Sequence, residues 1–144
     1  MYTLDVIVPF FNEEVFLKES VGRLLKTSIH TNIYLVDNNS DDNSPEIAKK
    51  LSKDREDVHY VKTPEVSGKG FGIQTVMPYL KSSHVVIHDA DLEYFPEDII
   101  EMFDVAQTNQ NSLILGSRFI GRKKRENIYL RTYLANKVMS SFFS

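Results

Sequence analysis

Five short apolar runs rich in β-branched residues, each separated from the next by a longer stretch of helical period, constrain this chain more than any other feature. The runs are Leu4 to Val8, Ile33 to Val36, Val58 to Val61, Val85 to Ile87 and Leu113 to Leu115. Such alternation is expected of a parallel sheet covered by helices, because a crossover long enough to return a parallel strand usually holds a helix. Between the first two runs Leu17, Val21, Leu24 and Leu25 share one helical face. A second helix is expected from Ser44 as N-cap, with Pro45 at the first helical position and Ile47, Ala48 and Leu51 facing inward. A third runs from Phe71 towards Tyr79, where Pro78 must end or kink it. Pro96 opens a fourth, with Glu97 and Asp98 in its first turn and Ile99, Ile100, Phe103 and Ala106 as the buried stripe.

A chain of 144 residues can bury one sizeable core but not two. We therefore expect residues 1–144 to be one domain or part of one. No segment approaches the ~18 uninterrupted apolar residues that cross a bilayer. The N-terminus carries Asp5 and lacks a basic flank, so it reads as a buried strand and not as a leader. Absence of cysteine argues against a disulfide-stapled module and against thiolate metal sites, and a cytoplasmic setting is expected. The net charge of −3 hides an asymmetry. Residues 1–115 hold ten Lys and Arg against nineteen acids, whereas residues 116–144 hold seven against Glu126 alone. That basic segment could meet phosphates or the cytoplasmic face of a membrane; no nucleic-acid partner is expected.

Open α/β sheets bind ligands beyond the carboxyl ends of their strands, which makes the residues after each run the ones to inspect. The first run leads to Pro9, Phe10, Phe11, Asn12 and Glu13, the second to "DNNSDDNS", the third to "SGKGFG", the fourth to Asp89 and Asp91, and the fifth to "GSRF". Asp89 and Asp91 flank Ala90, so in extended geometry both carboxylates can face one side. Two hard oxygen ligands suit Mg2+ or Mn2+, which take their remaining ligands from water and substrate phosphate. The same spacing could instead cap the following helix. Gly68 and Gly70 around Lys69 allow close approach of an anion beside an ammonium, although an ordinary turn would also place glycines there.

In order, "VIVPFFNEE", "LVDNNSDDNS", "SGKGFGIQT", "HDADLEYFPEDI" and "GSRF" resemble the nucleotide-sugar-binding half of family 2 glycosyltransferases, which have the GT-A fold. The subgroup most similar is the polyprenyl-phosphate (dolichyl-phosphate-like) sugar transferases, partly through "LRTYLANKVMSSFF". The resemblance implies an α/β, Rossmann-like, mainly parallel sheet with helices on both faces, here continuing beyond the C-terminus. It implies an inverting, metal-dependent transfer from a UDP- or GDP-sugar to a lipid phosphate or glycan acceptor, of the kind used in building cell-envelope polysaccharide.

Carried onto this sequence, the resemblance puts the nucleoside against Pro9, Phe11, Glu13, Asp37 and Asn38, and the divalent cation on the D-x-D pair Asp89 and Asp91. Gly68, Lys69, Arg118 and Arg131 would surround the phosphates, and Arg122 to Arg125 would lie near the acceptor. Asn38 stands where many members carry aspartate, which leaves uridine and guanosine both open. Asn39 and Asn43 replace glycines, and asparagine also accepts left-handed backbone. An exposed apolar face left by an absent continuation could drive homodimerisation. Two other readings are a noncatalytic nucleotide-binding fragment and a receiver-type signalling domain. The latter needs an aspartate at the end of the third strand, where Lys62 and Thr63 stand.

Overall fold

The computed structural model describes residues 1–66, 68–109 and 111–116. Among them, four parallel strands form one sheet: β1 (Leu4–Phe10), β2 (Asn32–Asp37), β3 (Val58–Lys62) and β4 (His84–Ile87), in the order β3-β2-β1-β4. The helices are α1 (Leu17–Thr27), α2 (Ser44–Lys53), α3 (Lys69–Val76) and α4 (Asp98–Thr108). The doubly wound order 3-2-1-4 places β1 between β2 and β4, as in dinucleotide-binding sheets. A receiver-type domain has β1 between β2 and β3, so the observed order rejects that alternative.

Side-chain alternation along β1 assigns the two faces of the sheet. Leu4, Val6, Val8 and Phe10 pack with Ile33, Leu35 and Val58 against α1, α2 and α4. Ile7 packs on the other face with Tyr34, Val36 and Val76 under α3. Leu17, Val21 and Leu24 are fully buried and Leu25 packs beside them, as the helical spacing requires. In α4 the buried stripe is Ile99 with Phe103 and the half-buried Ala106, whereas Ile100 is exposed. Positions 99, 103 and 106 share a face, and 100 lies about 100° round from 99. Helix α3 begins two residues before Phe71, and Pro78 falls in a 3-10 turn, Met77–Tyr79, that ends it.

The fifth apolar run forms no strand. Residues 113–115 make no ladder with β4, and Leu113 and Leu115 are exposed. A cavity of about 330 Å³, bounded by His84, Val86, Phe103, Leu113 and Ile114, separates this segment from the sheet edge. An apolar run becomes a strand only where a partner supplies its ladder.

One charged residue is buried in the central strand. Asp5 is inaccessible to solvent. Its carboxylate accepts from Asn32 Nδ2 at 2.8 Å, Ser82 Oγ at 2.7 Å, and the backbone N–H groups of Lys81 at 2.9 Å and Ser82 at 3.1 Å. Burial pushes its pKa up, but these donors together outweigh burial and hold it below the ordinary carboxylate value. Asp5 thereby fastens the connection that enters β4 to β1 and β2. It sets where β4 begins.

Candidate active site

Beyond β1 the chain turns to one side, through α1 to β2, and β4 joins the other side of β1. Crevices open at such switch points, beyond the carboxyl ends of the strands. The backbone N–H of Asn38 donates to Phe10 O at 3.0 Å, and that of His88 to Ile7 O at 2.9 Å, so the three strand ends stay in register as they leave the sheet.

An open cleft of about 310 Å³ lies there. Pro9, Phe10, Phe11 and Glu13 contribute one wall, Val36 and Asn38 the floor beside it, and Lys69 and Gly72 the start of α3; Asp89, Ala90 and Asp91 close it from β4. Seven residues singled out from the sequence thus meet in one cleft: Pro9, Phe11, Glu13, Asn38, Lys69, Asp89 and Asp91. Gly68 stands just before α3 with extended backbone, and its carbonyl accepts from the N–H groups of Phe71 and Gly72. Arg118, Arg131 and the stretch Arg122 to Arg125 lie outside the described residues.

Asp37 takes a different place from its neighbour Asn38. It is fully buried, with Oδ2 accepting from the Tyr60 hydroxyl at 2.7 Å and Oδ1 from the backbone N–H of Ser40 at 2.8 Å. Burial, then the bond to Asp37, raises the Tyr60 phenol well above its ordinary value and keeps it a donor. Beneath Asn38 and Asn39 sits Thr63, also buried. Asn39 Nδ2 donates to Thr63 O and Thr63 Oγ1, both at 2.9 Å, and the Thr63 hydroxyl reaches Glu65 O at 2.9 Å. Asn39 adopts φ 60°, in the left-handed region that asparagine tolerates; Asn43, at φ −84°, is the N-cap of α2, whose first helical residue is Ser44, so the helix starts one residue earlier than expected.

The loops after β1 and β2 are laced together. Asn12 Nδ2 donates to Asp41 Oδ1 at 2.6 Å, and the Asp41 N–H returns to Asn12 Oδ1 at 3.0 Å. The N–H groups of Glu13 and Glu14 donate to Ser44 Oγ at 2.8 Å and Asp42 Oδ2 at 3.0 Å. Asn12 itself has φ 56°. This lacing fixes Phe11 and Glu13 at the cleft wall without a strand to hold them.

Electrostatically the cleft is poised for a cation. Burial first, then the charges of Asp91, Asp42 and Asp89, raise the Glu13 carboxyl above its ordinary value. The neighbouring His88 is buried and held below its ordinary value by that burial, against the pull of Asp89 and Asp91. Glu93 N–H donates to Asp91 Oδ1 at 3.0 Å, and Leu92 between them has φ 61°. A leucine in that region is strained, and such strain concentrates where a fold holds a functional group in place. Asp89 already carries a cation, the ammonium of Lys69, paired to its Oδ1. Among the described residues no group of three or more His, Cys, Asp or Glu side chains could cage a metal. Asp89 and Asp91 are hard oxygen donors lining one cleft, a type of donor that suits an ion such as Mg2+ or Mn2+ that draws its other ligands from water and phosphate.

Tyr60, Thr63, Asn12 and Gly72 were not legible as site residues in the sequence. A Cβ on Gly72 would lie 3.4 Å from Val36 Cγ1, so α3 sits close on the sheet at that point. Only the paired arrangement of the loops reveals the other three, although an asparagine between an aromatic strand end and two acids is a signal for a left-handed turn.

Sheet order and an acidic cleft at the switch point define the class, a Rossmann-like α/β domain of the GT-A kind. The family model for Glycosyl transferase family 2 matches residues 5–141, and the chain belongs to that family. It is 28% identical to a dolichol-phosphate mannosyltransferase of Mycosarcoma maydis, over 80% of this chain and 42% of that protein. It is 25% identical to the UDP-N-acetylglucosamine–dolichyl-phosphate N-acetylglucosaminyltransferase of Methanococcus voltae, over 94% of this chain and 59% of that protein. The chain spans about half the length of the curated relatives it matches. Among solved structures, a mannosyltransferase from Pyrobaculum calidifontis in complex with GDP-Man and Mn2+ is 26% identical, with a TM-score of 0.57 over 63% of this chain and 28% of the other. Glucosyl-3-phosphoglycerate synthase from Mycobacterium tuberculosis shares the fold, with a TM-score of 0.60 at 19% identity over 72% of this chain and 39% of the other.

Proposed function

We propose that this chain carries the donor-binding half of an inverting glycosyltransferase that takes a sugar from a UDP- or GDP-sugar to a lipid phosphate or a glycan hydroxyl. The observation that carries the reading is the convergence of Asp89, Asp91, Glu13 and Asn38 on one cleft at the sheet switch point. Support also comes from the dolichyl-phosphate sugar transferases among the relatives and from the GDP-Man and Mn2+ bound to the Pyrobaculum neighbour.

Phe11 and Pro9 offer an apolar wall for a nucleoside, and the Asn38 amide supplies a polar group beside it. Asp89 and Asp91 would hold the cation, Mg2+ or Mn2+. When bound, that ion offsets the negative charge that grows on the departing nucleoside diphosphate. Lys69 adds a positive charge to the same diphosphate, with Arg118 and Arg131 as further candidates. A lipid phosphate acceptor is ionised at neutral pH and needs no general base, and the basic segment 122–125 would suit it at a cytoplasmic membrane face. Among the described residues no helix is long and apolar enough to cross a membrane.

Calorimetric titration of UDP and GDP, with and without Mn2+, tests the donor half of this reading. The wild type is expected to bind one of them in a Mn2+-dependent manner and Asp91→Ala to lose that dependence. Metal-independent binding untouched by the substitution would reject the bridging role. Sugar transfer by this chain to a polyprenyl phosphate then separates an enzyme from a domain that only binds.

A further inference from the structure

Lys69 contacts one of the two carboxylates that the donor-binding reading above gives to a divalent cation. Its ammonium pairs with Asp89 Oδ1, and both side chains line the cleft that also holds Asp91 and Glu13. Lys69 lies in the first turn of α3, and its side chain is 51% exposed against 27% for Asp89. The anchor is thus fixed by the helix while the four-carbon stem is free to swing. Partly exposed ion pairs are weak, so this one can be exchanged at small cost. A lysine head group is also a compact point charge whose three donors can turn to a carboxylate or to a phosphate oxygen.

We infer that Lys69 is an exchangeable counter-ion which couples the two ligands of this cleft: it sits on Asp89 when the cleft is empty and moves to the diphosphate when the nucleotide enters, freeing Asp89 for the metal. The inference rests on the donor-binding reading above. Its consequence is thermodynamic. Metal binding to the free protein has to displace the ammonium, whereas metal binding to the nucleotide complex does not. By linkage the metal must strengthen nucleotide binding by the same factor.

The test titrates Mn2+ into wild type, Lys69→Met and Lys69→Arg, following free Mn2+ by electron paramagnetic resonance, first alone and then with saturating UDP or GDP. Without nucleotide, Lys69→Met is expected to bind Mn2+ about two- to fivefold more tightly than wild type, the range a half-exposed ion pair can supply. With nucleotide the advantage is expected to vanish, so the enhancement of Mn2+ affinity by nucleotide shrinks in Lys69→Met and is retained in Lys69→Arg. Binding of the nucleotide in the presence of a chelator is expected to weaken in Lys69→Met. Equal Mn2+ affinity in wild type and Lys69→Met overturns the inference. So does a gain of equal size with and without nucleotide, which is the mark of simple charge repulsion. In either case Mn2+-dependent nucleotide binding by wild type leaves the donor-binding reading standing. Failure of every form to bind Mn2+, even with UDP or GDP, overturns both.

Discussion

The Tyr60 hydroxyl donates to Asp37 Oδ2 across 2.7 Å, tying the end of β2 to the middle of β3 directly under the residue that lines the cleft. A carboxylate with no access to solvent depends on its donors, and Asp37 has this phenol and the Ser40 N–H. Tyr60→Phe removes one of them while keeping the ring against the core. We expect a loss of about 1–3 kcal/mol in urea unfolding, the cost of leaving a buried acceptor short of a partner. Nucleotide affinity should fall with it, because Asn38 follows Asp37 in the chain.

The second expectation concerns Asn12. Its side chain exchanges two hydrogen bonds with Asp41, and its backbone is left-handed. Asn12→Ala loses both features and should cost about 1–2 kcal/mol, whereas Asn12→Gly keeps the backbone geometry and should cost less. Measuring both by thermal unfolding separates the two contributions. Equal losses would mean that the backbone geometry contributes nothing.

Asp5 predicts a pH dependence with a definite sign. Its folded pKa lies below the ordinary value, so the stability it contributes is fully present above the unfolded pKa of about 3.9 and is lost as pH falls through the folded value. Asp5→Asn should be destabilised at pH 7 by about 1–3 kcal/mol, since an amide cannot accept from all four donors. The deficit should narrow below pH 4. A constant gap from pH 7 to pH 3 would contradict the carboxylate's role.

Glu13 predicts the opposite sign. Its folded pKa is raised, so ionisation costs stability as pH rises through that value, and no cost remains when it is protonated. Glu13→Gln is therefore expected to melt slightly higher than wild type at pH 7 and at the same temperature near pH 3. Nucleotide affinity should move the other way, a trade seen where a fold holds like charges together for a ligand. A melting temperature below that of wild type at pH 7 would refute the idea that the cleft is strained by its own charge.

Local chemistry was sufficient to read much of this protein from its residues in order. β-branched runs and helical spacing located four strands and four helices, because burial of Val6, Val8, Leu17 and Leu24 is the same requirement whether seen as a pattern or as a core. Polar residues crowded after each strand pointed to the cleft, since a parallel sheet gathers its strand ends on one rim. Where the reading failed, the missing information was a partner. Residues 113–115 are as apolar as β4 but have no ladder beside them, and Ile100 is as apolar as Ile99 but faces away from the core.

The alternation of strand and helix, the class of fold and the acids at strand ends are all written in the local pattern of residues. Long-range packing is what buries Asp37 under Tyr60 while Asn38 lines the cleft, laces two loops through Asn12 and Asp41, and rests Lys69 on Asp89. The difference is one of range. Propensity and periodicity act over a few neighbouring residues, whereas Lys69 and Asp89 are twenty positions apart and meet because α3 crosses over β2 and β1 on the way from β3 to β4.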